Sequence, residues 1–124
     1  MQPGLVVVVT ETQLLLDVLT HELEGAGWTV LALEDGAELF DFIELMSERP
    51  GRRLPQLIIA DATSPGPSVL EVCAWARLKG LRMPFIVLAD RADEATKDLA
   101  RALGGVEITD GSDDMLNVAA SVAA

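Results

Sequence analysis

Tyrosine is absent from this 124-residue chain, cysteine and histidine occur once each, and the aromatics amount to two tryptophans and three phenylalanines. The single cysteine, Cys73, excludes a framework of internal disulfides and agrees with a reducing cytosol. Basic residues are scarce, with 9 Lys and Arg against 20 Asp and Glu and a formal charge of −11. A chain this acidic is repelled by phosphate backbones and anionic lipid, so direct contact with nucleic acid or membrane is not expected. No apolar run approaches the roughly 20 residues of a membrane span. The first residues lack the basic start and cleavage site of a secretory signal. The expectation is a soluble, cytoplasmic protein. There is no G-x-G-x-x-G and no Walker lysine, so a nucleotide site has no support.

What is present is apolar and ordered. Half of the residues are hydrophobic, enough for a core without a metal or disulfide staple. The length fits one domain, 1–124, with an ordered core expected over about 4–122. Leu5 to Val9 is a continuous β-branched run, the signature of a strand buried on both faces. Further strands are expected at Trp28 to Leu33, Leu57 to Ala60, Phe85 to Ala89 and Val106 to Thr109.

Helical spacing separates these runs. Leu15, Val18, Leu19, Leu23 and Ala26 mark the first helix. Leu39, Phe42, Ile43 and Met46 mark the second, with Asp35 and Glu38 as its capping box. Val69, Val72, Cys73 and Ala76 mark the third, opened by Ser68 and Glu71. A polar helix is expected from about Asp93 to Leu103, and a last one from about Ser112 to Ala123 with Met115, Ala119 and Val122 inward. Strand–helix alternation repeated five times implies right-handed crossovers and a parallel sheet covered on both sides. The fold class is therefore α/β: a single three-layer, doubly wound (βα)₅ domain, flavodoxin-like, with strand order 2-1-3-4-5.

In such sheets function sits beyond the carboxyl ends of the strands. Thr10 and Glu11 follow the first strand, and Asp61, Thr63 and Ser64 follow the third. Ala89 and Asp90 follow the fourth, Thr109 and Asp110 the fifth. Asp61 is unusual among them, because a Pro-Gly turn and not a helix comes next, so a capping role fits it poorly. If the first and third strands are neighbours, Glu11 and Asp61 approach each other. Two close carboxylates favour a cation between them, and Mg²⁺, a hard ion that takes oxygen ligands, is the candidate. Elsewhere the reading is plain. His21, among Thr20 and Glu22, is a solvated helix residue. Cys73 is an inert buried thiol. Trp28 and Trp75 are core or interface aromatics, with Trp75 flanking its stripe.

In order along the chain stand the acidic position at Glu11, the punctuation Ala26-Gly27-Trp28, DGAELF, D-x-x-x-P-G at Asp61, Pro65 and Gly66, MPFIVLAD, and ALGG. The set resembles the receiver domain of two-component response regulators over nearly the whole chain. The resemblance implies that Asp61 is the phosphoacceptor, activated as a nucleophile. It implies that Glu11, Asp61 and the Thr63 main-chain carbonyl hold Mg²⁺. It also implies a histidine kinase or phosphotransfer protein, or a protein output partner, and an output and homodimer surface over residues 92–122. Four positions depart from the family. Thr10 stands where a second acid is usual, and Ala89 where a Ser or Thr bonds the phosphoryl oxygen. Asp110 replaces a lysine across a one-residue deletion, and Glu107 replaces the strand-five aromatic.

The expectation is a non-enzymatic regulatory module of phosphorelay signalling with its acceptor kept and its switch degraded. Two versions stay open: a phosphorylatable receiver of unusual chemistry, and a pseudo-receiver that signals by protein contact. The alternative is a small metal-dependent phosphohydrolase-like domain using the Glu11 and Asp61 carboxylates. It is disfavoured because Thr63 stands where such enzymes carry the second acid of a D-x-D pair.

Overall fold

The computed structural model describes residues 4–48, 54–63, 68–110 and 117–119. Each apolar run becomes a strand, and each of the first four periodic stretches becomes a helix. The order is β1 (Leu5–Val9), α1 (Gln13–Gly25), β2 (Thr29–Leu33), α2 (Gly36–Glu48), β3 (Leu57–Asp61), α3 (Val69–Leu78), β4 (Phe85–Leu88), α4 (Glu94–Leu103) and β5 (Val106–Thr109). All strands pair in parallel in the order β2-β1-β3-β4-β5, as the alternation implies. Residues 117–119 are helical. The rest of the expected last helix, with Met115 and Val122, lies outside the described residues, as do Arg49 to Arg53 and the turn at Ser64, Pro65 and Gly66.

Alternate residues of one strand feed two separate cores. Val7, Val9, Ile58, Ala60, Phe85 and Val87 pack against Leu39 and Ile43 of α2, the apolar stripe of α3 and Ala100 of α4. Val6, Val8, Leu57, Ile59 and Ile86 pack against Leu19 and Leu23 of α1, Trp28 and Ala119. This is why the central strands read as unbroken apolar runs: neither face meets water. Burying each of the Val, Leu, Ile and Phe side chains among these contributes about 1.5–3 kcal/mol. The edge strands differ. Leu31 of β2 and Glu107 of β5 are exposed.

Local signals set the helix ends. The Asp35 carboxylate accepts from the Glu38 N–H at 2.9 Å, and the Glu38 carboxylate accepts in turn from the Glu34 N–H at 2.6 Å. The Ser68 hydroxyl accepts from the Glu71 N–H at 3.2 Å, and Asp93 accepts from the Thr96 N–H at 2.8 Å. The Glu38, Glu71 and Thr96 N–H groups are first-turn donors that have no partner within the helix, and these caps satisfy them. The α1 stripe is narrower than its spacing implies. Leu19 and Leu23 are buried, whereas Val18 is 48% exposed and Ala26 is exposed. Val18 lies about a quarter turn from Leu19, and a surface helix buries a single stripe.

At the amino-terminal edge of the sheet, Arg77 ties three segments together. Its guanidinium donates to the carbonyls of Leu81 at 2.9 Å, Met83 at 3.0 Å and Gly104 at 3.0 Å. It also lies over the Phe85 ring, 5.6 Å from the centroid. Gly105 adopts φ +67°, and a Cβ there would stand 3.1 Å from Arg77 Nη2, so glycine serves both backbone and approach. Trp75 stacks on Phe40 at 5.4 Å, with Lys79 Nζ 4.5 Å above its ring. Its indole N–H is enclosed and has no hydrogen-bond partner among the described residues. The flanking tryptophan thus joins α3 to α2 and is half-buried.

Arg77→Met is expected to cost about 2–4 kcal/mol in urea denaturation, since three carbonyls lose a charged donor. A loss under about 0.5 kcal/mol, the range of an ordinary surface change, would contradict the tying role. A second expectation concerns acid. The Thr96 side chain first, and its N–H second, hold the Asp93 carboxyl below its ordinary value. A depressed folded pKa contributes stability above the unfolded value and loses it as pH falls through the folded one. Amide protection in the first turn of α4 should therefore weaken below about pH 4. Asp93→Asn, a cap that does not titrate, should abolish that dependence, and an unchanged acid profile in the variant would refute it.

Candidate functional site

The register places the strand ends in rows. Val9 pairs with Ala60, Ala60 with Val87 and Val87 with Ile108, which makes the last apolar row. One residue further, Asp61 pairs with Leu88 and Leu88 with Thr109. Thr10 follows Val9 on the same row beside Asp61. Backbone bonds continue past the strands: the Thr10 N–H donates to Leu33 O at 3.0 Å, Ala62 N–H to Leu88 O at 2.9 Å, and Ala89 N–H to Thr109 O at 2.9 Å. The rim is therefore held by main chain, and its side chains are presented from fixed positions.

Asp61, partly buried, accepts three hydrogen bonds from the described residues. The Thr63 N–H at 2.9 Å and the Thr63 hydroxyl at 2.8 Å both donate to Oδ1. The Thr10 hydroxyl donates to Oδ2 at 3.3 Å. Thr10 is 3% exposed, and its oxygen accepts in turn from the Thr12 N–H at 3.1 Å. A carboxylate at the tip of a buried strand is thus answered by neutral donors on both oxygens, as a partly desolvated acid requires.

The other expected site residues fall as follows. Glu11 is exposed at the first residue beyond Thr10. The described contacts of Thr63 run from its N–H and hydroxyl to Asp61. Ala89 and Asp110 stand beyond β4 and β5 and line a cleft of about 490 Å³ together with Arg91, Lys97, Ile108 and Thr109. Glu107 is exposed opposite Ile86. Among the described residues, no three His, Cys, Asp or Glu side chains are grouped so as to hold a metal ion. Cys73 is buried, and burial raises its thiol pKa against the opposing influence of Arg77, which fits an inert thiol. His21 is exposed on α1.

Two residues gain roles that reading the chain in order does not suggest. Thr10 reads as an acid lost, yet it supplies a hydroxyl to Asp61. The usable signal is that a polar residue directly after an all-apolar central strand shares a row with Asp61. Lys97 reads as a helix-surface residue. It lines the cleft beyond β4 and β5, with Nζ 3.7 Å from Glu94.

No known family profile matches the chain. It is 29% identical over 99 residues to the alkaline phosphatase synthesis transcriptional regulatory protein PhoP of Bacillus subtilis (strain 168). That match covers 80% of this chain and 38% of the relative, so the chain spans well under half of that protein's length. Among solved structures it superposes on the Vibrio cholerae chemotaxis protein CheY4 with a TM-score of 0.79 and 18% identity, covering 97% of this chain and 98% of that one. The signal receiver domain of a signal transduction histidine kinase from Syntrophus aciditrophicus gives a TM-score of 0.72 and 24% identity, over 96% and 86% of the two chains. The chain therefore has the fold that response-regulator receiver domains share. No described helix is long and apolar enough to cross a membrane.

If donors and not a cation balance Asp61, Asp61→Ala should destabilise the fold by about 1–3 kcal/mol in chelator, because the Thr63 and Thr10 donors lose their acceptor. Stabilisation in the same denaturation experiment would show that repulsion among acids dominates, and the balance by hydroxyls would fall.

Proposed function

We propose that the chain is a regulatory receiver module of phosphorelay signalling, that it forms one domain across 1–124, and that it works as a pseudo-receiver through protein contact. The observation that carries this reading is the state of Asp61. Both of its oxygens are taken by Thr10 and Thr63, and the neighbouring strand ends carry Ala89 and Asp110. A phosphoryl group adds about −1.5 to −2 charges at neutral pH. Ala89 has no hydroxyl to bond it, and Asp110 carries the wrong sign to neutralise it. Glu107 places a charge where an aromatic switch residue would be expected.

On this reading the module is not an enzyme and resides in the cytoplasm. Its partners are a histidine kinase or phosphotransfer protein upstream and a protein output element downstream. The contact surface runs over residues 92–122, where a homodimer would also form; the described part of it includes Lys97, the half-exposed Leu99 and Val118. Asp61 remains the residue on which a phosphoryl group would sit in a phosphorylatable version.

Titration with a fluoroberyllate phosphate mimic in Mg²⁺, followed by amide NMR at Asp61, Ala62 and Ala89, separates the versions. No saturable shift is expected. Saturable shifts that vanish in Asp61→Asn would overturn the contact-only mode and leave a phosphorylatable receiver. Steady turnover of a generic phosphate ester, lost in the same variant, would overturn the receiver role itself.

A further inference from the structure

Thr10 sits at the point where the chemistry of the rim is decided. Its placement comes from the sheet, because its own N–H still donates to Leu33 O at 3.0 Å. Adjacent strands stand about 4.8 Å apart, so whatever side chain occupies position 10 faces Asp61 at close range. A hydroxyl carries one proton and accepts through its lone pairs. Here the proton is directed at Asp61 Oδ2 and a lone pair is used by the Thr12 N–H. On the other side, the Thr63 N–H and hydroxyl direct two protons at Oδ1. All three hydrogen bonds to the carboxylate from the described residues therefore bring protons to it. Mg²⁺ asks for the reverse: oxygen lone pairs turned inward, one or two of them from carboxylates, in near-octahedral geometry. The donor set around Asp61 does not fit that ion, and Glu11 is exposed.

We infer that Thr10 is the residue that sets the cation preference of this site: its hydroxyl substitutes a proton donor for a divalent cation and makes the Asp61 carboxylate cation-independent. The inference rests on reading Asp61 as the centre of a receiver site. It goes further by assigning the loss of metal dependence to one side chain. Thr10→Asp would remove one donor, release the Oδ2 lone pair and set a second carboxylate beside the first. Two facing carboxylates repel each other unless a cation joins them, so metal dependence should appear on that single change.

The test is thermal unfolding and calorimetric titration of the full chain with MgCl₂ and MnCl₂ against chelator, with no phosphate mimic and no partner. The wild-type midpoint is expected to be the same in chelator and in millimolar cation. T10D should melt lower in chelator and recover by roughly 3–6 °C at a cation concentration about ten times its dissociation constant. T10S should behave as wild type. T10V should lose stability with no response to cation, which separates a structural role from a role in cation preference. Saturable Mg²⁺ binding by wild type would overturn the inference, as would a T10D chain that gains no cation response. If T10D fails to fold in chelator, refolding on Mg²⁺ supports the inference and failure to refold defeats it. These readouts are independent of the receiver reading, which stands or falls on the phosphate-mimic and turnover measurements.

Discussion

The parallel register of β1, β3, β4 and β5 is the constraint on which the site depends. Because Val9 pairs with Ala60, Ala60 with Val87 and Val87 with Ile108, the four strands finish on common rows. A shift of one residue in any pair would turn a strand's core residues over to the opposite face. Val7 and Val9 pack with α2 and α3, while Val6 and Val8 pack with α1. A slip of β1 would therefore disturb both cores and at the same time carry Thr10 away from Asp61. Stability and site geometry are set by the same pairing, and no separate device is needed to align the rim.

The two ends of the sheet are built differently. At the amino-terminal edge, Arg77 fastens the segments around Leu81, Met83 and Gly104 with a single charged side chain. At the carboxyl edge no comparable cation reaches the centre among the described contacts, and two hydroxyls and one main-chain amide hold Asp61 instead. The contrast follows from what each end requires. Carbonyls at the amino-terminal edge need a donor with several hydrogens in a fixed fork. A carboxylate at the other edge needs only small donors that fit between neighbouring strand ends.

Much of this was legible in the chain itself, for identifiable reasons. Fully apolar runs such as Leu57 to Ala60 mark strands buried on both faces, and their alternation with helical stripes leaves few topologies. Caps at Asp35, Ser68 and Asp93 were readable because the capping geometry is local. The α1 spacing implies a wider buried band than the sheet covers, since spacing shows which residues share a side but not how wide that band is. The partnership of Thr10 with Asp61 was hidden, because it joins residues 51 apart in the chain through register. Lys97 was hidden because a helix turn, and not sequence adjacency, carries it to the cleft.

The charge balance around Asp61 connects these observations. An acid at a buried strand tip must be compensated, and compensation by a mobile ion differs in kind from compensation by fixed hydroxyls. A cation can be exchanged and can serve an incoming phosphoryl group as well as the carboxylate. Fixed donors answer the carboxylate alone, and they leave an added dianion to face Asp110 and Asp90 across the cleft. Arg91 and Lys97 line the same cleft, but each carries one positive charge against those two acids, so the cleft is close to neutral and not strongly attractive to anions. On the proposed reading, a rim of this composition keeps a single resting arrangement and does not pass between two on phosphorylation. On the contact-only reading proposed above, regulation comes from what docks on the surface, where α4 and β5 present a mixed-charge, partly apolar face.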